Sequence, residues 1–304
     1  MKFLTFKGES GPQLGLLLEN DRVLNLSAAW SLWPGQGEVY RIPQHVGDLI
    51  GLGEAGIRRV EAIRDECPAD CIVELSTIEF LAPIPKPAKN IFCVGRNYRE
   101  HIVEGNLARG RDPNDFPKAV EFFTKAPTTV TGHRQPVKRH AHVTDFLDYE
   151  VELGVVIGKR GVDISRADAY NHVFGYTVVN DITARDRQLA HGQWFKGKSL
   201  DTTCPIGPYV VHRSAIPDPH KLSISLDVNG ETRQKANTSS LLFSVPDVIA
   251  ELSAGLTLEP GDVIATGTPS GVGLGLKPQK KLNVGDVVKA RVEGIGELEN
   301  RIVE

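Results

Sequence analysis

The chain has no apolar stretch approaching the roughly 20 residues that cross a bilayer. Its opening residues, Met1-Lys2-Phe3-Leu4-Thr5-Phe6-Lys7-Gly8, lack the continuous apolar core of a secretory signal. A cytoplasmic protein with no membrane partner is the default expectation. Positive charge is not concentrated anywhere: Lys138-Arg139-His140 is a short cluster, no predicted helix carries a basic stripe, and the net charge is −3, which argues against nucleic acid as a partner. Cysteine is sparse. Cys67 and Cys71 form one Cys-x3-Cys pair with no second pair to match, and Cys93 and Cys204 stand apart, so a zinc cluster is not expected. In a reducing compartment all four read as structural thiols.

What is present is ordinary for a soluble globular protein: 304 residues, 40% hydrophobic and 24% charged, enough for one or two domains around a large core. Residues 1–80 read as a small α+β domain. Leu14–Leu18 and Arg22–Leu26 are strands around a turn at Asn20-Asp21, and Ile57, Val60 and Ile63 have helical spacing over 55–66. Pro83, Pro85 and Pro87 alternate, which neither a helix nor a central strand tolerates, so 81–89 is placed as an extended connector. Residues 90–304 form the second unit. Short apolar runs at 151–157, 173–179, 208–212, 222–228, 262–266 and 284–292 predict strands, and 184–190 and 245–252 predict helices. A helix from Tyr98 to Glu104 is expected to stop at Gly105-Asn106, and 107–118 reads as a surface loop. The fold class is β-rich α+β, without alternating βαβ units.

Chemistry concentrates in Asp148-Tyr149-Glu150-Val151-Glu152, which runs into Leu153-Gly154-Val155-Val156-Ile157. On a strand, residues two apart share a face, so these carboxylates project together beside a buried segment. Such a group repels itself unless a cation compensates. The strand 173–179 ends at Asn180-Asp181, and Asp181 at a strand end can reach the same cation. Glu150, Glu152 and Asp181 would be three hard oxygen donors, suited to Mg²⁺ or Mn²⁺, with Ca²⁺ as an alternative. An exposed acidic strand face is the plainer alternative. Lys198 lies in Lys196-Gly197-Lys198-Ser199, whose glycine spacing is wrong for a phosphate loop. It is either a solvated lysine or a holder of substrate charge. The run Thr266-Gly267-Thr268-Pro269-Ser270-Gly271-Val272-Gly273 is either a plain turn or a cradle of backbone amides for an anion. His101 and Glu104 share a helix face at i, i+3, as an inert surface pair or as a carboxylate-oriented base.

Taken together, Gly95-Arg96-Asn97-Tyr98 with His101 and Glu104, the 148–158 run, Gly175–Asp186, Gly197-Lys198-Ser199 and Thr266–Gly273 resemble the fumarylacetoacetate hydrolase family. The resemblance covers about residues 80–304, and 1–80 resembles the N-terminal domain of its bacterial two-domain members. It implies a mixed β-sandwich roll, a homodimer, and a divalent ion on Glu150, Glu152 and Asp181. It also implies His101 and Glu104 as a dyad on a lid helix, and Lys198, Gln188 and Thr268 at the substrate, with Arg96, Tyr98 and Gly267 as further contacts. The loop 107–118 would order over the site. The implied activity is that of an enzyme on a small α-keto or dicarboxylic acid passing through an enolate-like state: oxaloacetate decarboxylase or tautomerase, or acylpyruvate hydrolase. An isomerase of hydroxymuconate-like diacids and a non-catalytic binding protein are the alternatives. Gly95–Tyr98 lacks the extra carboxylate of fumarylacetoacetase, which argues against fumarylacetoacetate itself.

Overall fold

The computed structural model describes residues 1–32, 41–108 and 110–304. Residues 33–40, within the predicted 1–80 domain, and Arg109, within the predicted loop, lie outside the described residues. Twelve strands among the described residues form one mixed sheet. At its centre Val151–Ile157 pairs antiparallel with Val173–Asn180 and with Val263–Ala265. Val263–Ala265 pairs in parallel with Ile91–Gly95, which in turn pairs with Glu121–Lys125. On the other side Val173–Asn180 pairs with Cys204–His212, and Cys204–His212 pairs with the first strand, Lys2–Gly8. The strands of the N-terminal segment therefore continue the sheet of the larger unit.

Alternation along the strands explains why this sheet is buried on both faces. Val151, Leu153, Val155 and Ile157 point into one core, together with Leu226, Val288, Ala290 and Leu298 from a second, five-stranded sheet. Val156, Val179, Val263 and Ala265 point the other way, into a core closed by Val46, Leu49, Val60 and Ile63 of the N-terminal helices. The result is a sheet-rich α+β fold in which two sheets and a helical layer stack.

Local signals were followed closely in several places. Asn20 and Asp21 adopt φ of 58° and 52° between the strands Gly11–Leu17 and Arg22–Asn25, as a tight hairpin demands. The expected 55–66 and 245–252 helices are Gly53–Glu66 and Val245–Ser253, the latter with a capping box from Ser244 and Asp247. Other boundaries moved. The helix expected to end at Gly105 spans Arg99–Ala108, because Asn106 is not a terminator: its buried amide ties the helix to Asp115 O at 3.0 Å. The strand expected from 284 begins at Val287, since Gly285 turns with φ 94°. Polar strands escaped notice: Glu231–Asn237 and Gly296–Val303 carry few apolar residues in sequence yet complete the second sheet.

His133 supplies a stability test. It is buried, its Nδ1 accepts from Glu299 N at 3.1 Å, and its ring stands edge-on to Phe80. Burial, helped by the Arg134 charge, pushes it down to about 4 from 6.5. The folded protein thus binds fewer protons than the unfolded chain between these values, so stability is full above pH 6.5 and falls as pH drops toward 4. This group alone should remove up to about 3 kcal/mol across that window. Urea titrations of His133→Asn, whose amide oxygen can still accept from Glu299, should show a shallower acid slope than the parent; equal slopes would contradict the assignment.

Candidate active site

One register builds the site. Val151 lies opposite Asn180, so Glu150 and Glu152 at the start of one strand meet Asp181 just past the end of its neighbour. Asp181 N donates to Glu150 O at 2.8 Å, and Glu150 N donates to the Asn180 side chain at 3.0 Å. One carboxylate oxygen from each of Glu150, Glu152 and Asp181 lies within 4.8 Å of the others, and all three residues are buried.

Asp148 goes elsewhere. The expected common face fails at this residue because the strand breaks at Tyr149-Glu150, and Leu147–Asp148 pairs with Thr183–Ala184 instead. Its carboxylate accepts from Gly273 N at 2.7 Å, Leu274 N at 3.0 Å and Arg185 Nε at 2.8 Å. Asp148 thereby fastens the glycine loop to the acidic strands.

Three fixed cations sit among the carboxylates. Lys198 Nζ is 2.6 Å from both Glu150 Oε2 and Asp181 Oδ2, and it lies 4.8 Å from the Phe123 ring centre. Arg185 bridges Asp148 and Glu150, the latter at 2.7 Å. Lys125 Nζ is 2.7 Å from Asp181 Oδ1 and donates to Ile182 O. With all four carboxylates ionised against three cations, one negative charge would be in excess. It falls on Glu152, which no cation pairs with among the described residues; Gly267 N donates to its Oε2 at 2.7 Å.

The proton affinities follow. Burial, reinforced by the charges of Asp181 and Glu150, raises the Glu152 carboxyl well above the ordinary range. Burial acts the same way on Glu150 but is outweighed by Lys198 and Arg185, which hold it below that range. For Lys198, burial favours the neutral amine, yet Asp181 and Glu150 overcome it and keep the ammonium charged. Three hard oxygens with an unbalanced negative charge fit a divalent cation.

A cavity of about 300 Å³ opens over this floor. His101 and Glu104 reach it from the Arg99–Ala108 helix, with His101 Nδ1 3.2 Å from Glu104 Oε2. Glu104 also accepts from Gly271 N at 3.1 Å, which ties the helix to the glycine loop. Gly271 has φ 99°, and a Cβ there would stand 2.0 Å from Arg233 O, so only glycine presents that amide.

The remaining sequence candidates divide. Gln188 lines the cavity, and its oxygen accepts from Arg185 at 3.1 Å. Thr268 lines it too, but its hydroxyl donates to Val151 O at 2.9 Å and accepts from Gln234 at 2.8 Å. Arg96 is on the wall with its guanidinium engaged by Glu121 at 3.0 Å and Asp115 O at 2.6 Å. Tyr98 is fully buried behind the wall, and Gly267 spends its N–H on Glu152. Sequence reasoning missed Arg185, Lys125 and Gln234 as parts of the site. None of the three carried a signal in the sequence: Lys125 and Arg185 follow threonine-containing segments like any surface cation, and Gln234 lies in a polar strand.

The model for the C-terminal region of fumarylacetoacetate hydrolases matches residues 90–303. The chain belongs to the fumarylacetoacetate hydrolase family. It is 46% identical to oxaloacetate tautomerase YisK of Bacillus subtilis, over 99% of this chain and 100% of that one. The solved fumarylacetoacetate hydrolase of Exiguobacterium antarcticum is 37% identical, with a TM-score of 0.80 over 100% of this chain and 99% of that one. A maleylpyruvate hydrolase from Sphingobium shares 31% identity and a TM-score of 0.74, over 100% and 99% of the two chains. Relatives of this chain thus carry names as different as hydrolase and tautomerase.

Asp148 offers a direct check. Asp148→Asn leaves the buried Arg185 guanidinium with Glu150 as its one carboxylate partner and gives the Gly273 and Leu274 N–H groups a neutral acceptor, a loss of charge-assisted hydrogen bonding that costs about 1.5–3 kcal/mol. The urea midpoint should fall accordingly. An unchanged midpoint would deny Asp148 its anchoring role.

Proposed function

We propose that the protein interconverts the keto and enol forms of oxaloacetate, with a divalent cation, Mg²⁺ or Mn²⁺, held by Glu150, Glu152 and Asp181. The observation that carries this is a carboxylate-oriented imidazole facing a buried acidic triad across one cavity. The full-length likeness to an oxaloacetate tautomerase supports the substrate. When bound, the cation would supply Lewis acidity toward the oxygens of a 2-oxo acid.

The chain's own residues supply the rest. Glu104 accepts the Nδ1 proton of His101, which leaves Nε2 as the basic nitrogen. His101 takes the proton from C3 of the keto acid and returns it to the enolate oxygen, so no proton is gained or lost overall. Lys198, kept charged by its two carboxylate neighbours, stabilises the negative charge that develops on that oxygen. Gln188 and the backbone at Thr268 orient the substrate carboxylate. Arg96 and Gly267 serve by holding Asn106, Asp115 and Glu152 in place, and Tyr98 by packing, fully buried, at the start of the helix that carries His101. Decarboxylation of oxaloacetate and hydrolysis of an acylpyruvate would pass through a similar enolate, and their products tell them apart.

His101→Ala should lower the turnover number for enol-oxaloacetate ketonisation about 100-fold with little change in KM, measured by loss of enol absorbance. An unchanged turnover number would remove His101 from the mechanism. Chelator-treated protein should lose both activity and bound metal, and recover both with Mg²⁺ or Mn²⁺. Glu152→Gln should retain the fold and bind neither ion. Release of pyruvate matching the loss of oxaloacetate would instead identify a decarboxylase.

A further inference from the structure

The cavity wall is chemically lopsided. Most of its charged groups, Glu150, Glu152, Arg185 and Lys198, belong to the floor, with Arg96, His101 and Glu104 at one side, while Ile102, Phe123, Leu189, Trp194, Val272 and Leu274 make up much of the rest. The apolar part is built, not incidental. Phe123 lies against the Lys198 ammonium at 4.8 Å, and Trp194 meets Phe123 edge-on at 5.4 Å, so an aromatic surface leads directly away from the site of charge. Trp194 is fixed against Gly95, where a Cβ would come within 2.4 Å of its ring. Leu189 lines the same cavity yet is 60% exposed, an apolar side chain without a full set of neighbours.

Oxaloacetate uses little of this. A second carboxylate at C4 would want a cation of its own, but the three that line the cavity are engaged: Lys198 with the floor carboxylates and the enolate oxygen assigned to it above, Arg185 with Asp148 and Glu150, and Arg96 with Glu121 and the Asp115 carbonyl. At about 300 Å³ the cavity is also roomier than a four-carbon diacid needs, since cavities from that size upward hold drug-sized ligands.

We infer that the same site also tautomerises 2-oxo acids bearing an aryl-sized apolar group on C3, with the ring seated against Phe123, Trp194 and Leu189. This rests on the tautomerase chemistry proposed above. The step is an isomerisation. The C3–H bond breaks, its electron pair becomes the C2–C3 π bond, and the carbonyl π pair moves to oxygen. The proton passes through His101 to that oxygen, and nothing is oxidised, reduced or expelled.

Phenylpyruvate is the probe, offered freshly dissolved as its enol, with enol-oxaloacetate measured in parallel on the metal-loaded enzyme. The expected result is acceleration of both ketonisations, both suppressed in His101→Ala. Leu189→Ser should lower kcat/KM about tenfold for phenylpyruvate, the scale of a lost apolar pocket contact, and change oxaloacetate by less than twofold. Activity on oxaloacetate with none on phenylpyruvate overturns the inference and leaves the tautomerase reading standing. Activity on phenylpyruvate alone keeps the inference and removes oxaloacetate as substrate. Activity on neither overturns both. An equal loss on both substrates in Leu189→Ser overturns the seat assigned to the ring.

Discussion

The pairing of Val151 with Asn180 is the constraint on which the site depends. It brings the beginning of one acidic strand against the end of another, inside a sheet covered on both faces. Carboxylates in such a place are stable only if their charge is answered locally, because the interior cannot solvate them. Lys125, Arg185 and Lys198 answer most of it, each from a different part of the chain. What they leave unanswered, at Glu152, gives the floor its appetite for a cation. A slip of one residue in that register would turn the carboxylates to the opposite faces and dismantle the arrangement.

The upper part of the site is held by backbone amides. Gly267, Gly271, Gly273 and Leu274 each give an N–H to a carboxylate of the floor or of the Arg99–Ala108 helix. The loop is therefore a bracket: it joins Glu152, Asp148 and Glu104, residues on three different segments. Gln234 keeps it seated by bonding Thr268, Pro269 O and Val151 N at once. A carboxylate–amide bond of this kind is strong and directional, which holds the His101–Glu104 pair at a fixed place above the charged floor.

Much of this was legible in the sequence, for identifiable reasons. Strands buried on both faces read as apolar runs, so 151–157 and 173–179 stood out. The acidic residues stood out because charge next to such a run has to be explained. Strands with one wet face, such as Glu231–Asn237, gave no such contrast. Nor could spacing show that Asp148 leaves the strand before Glu150, since that depends on which partner each segment finds. The buried cations were invisible for the same reason. A lysine such as Lys125 looks solvated until the carboxylate that pairs with it, more than fifty residues away in sequence, is placed beside it.

The hydrogen bonds between Lys2–Gly8 and Cys204–His212 carry a practical lesson for anyone trimming the protein. Excising the leading segment would strip a neighbour from Cys204–His212 and leave a raw sheet margin directly beside the strand that leads into Asp181. It would also uncover Val156, Val263 and Ala265, which now rest beneath the N-terminal helices. Open margins and greasy faces invite self-association. The leading segment thus acts as a bandage on the reaction sheet, and a shortened variant would be expected to clump before its chemistry could be judged.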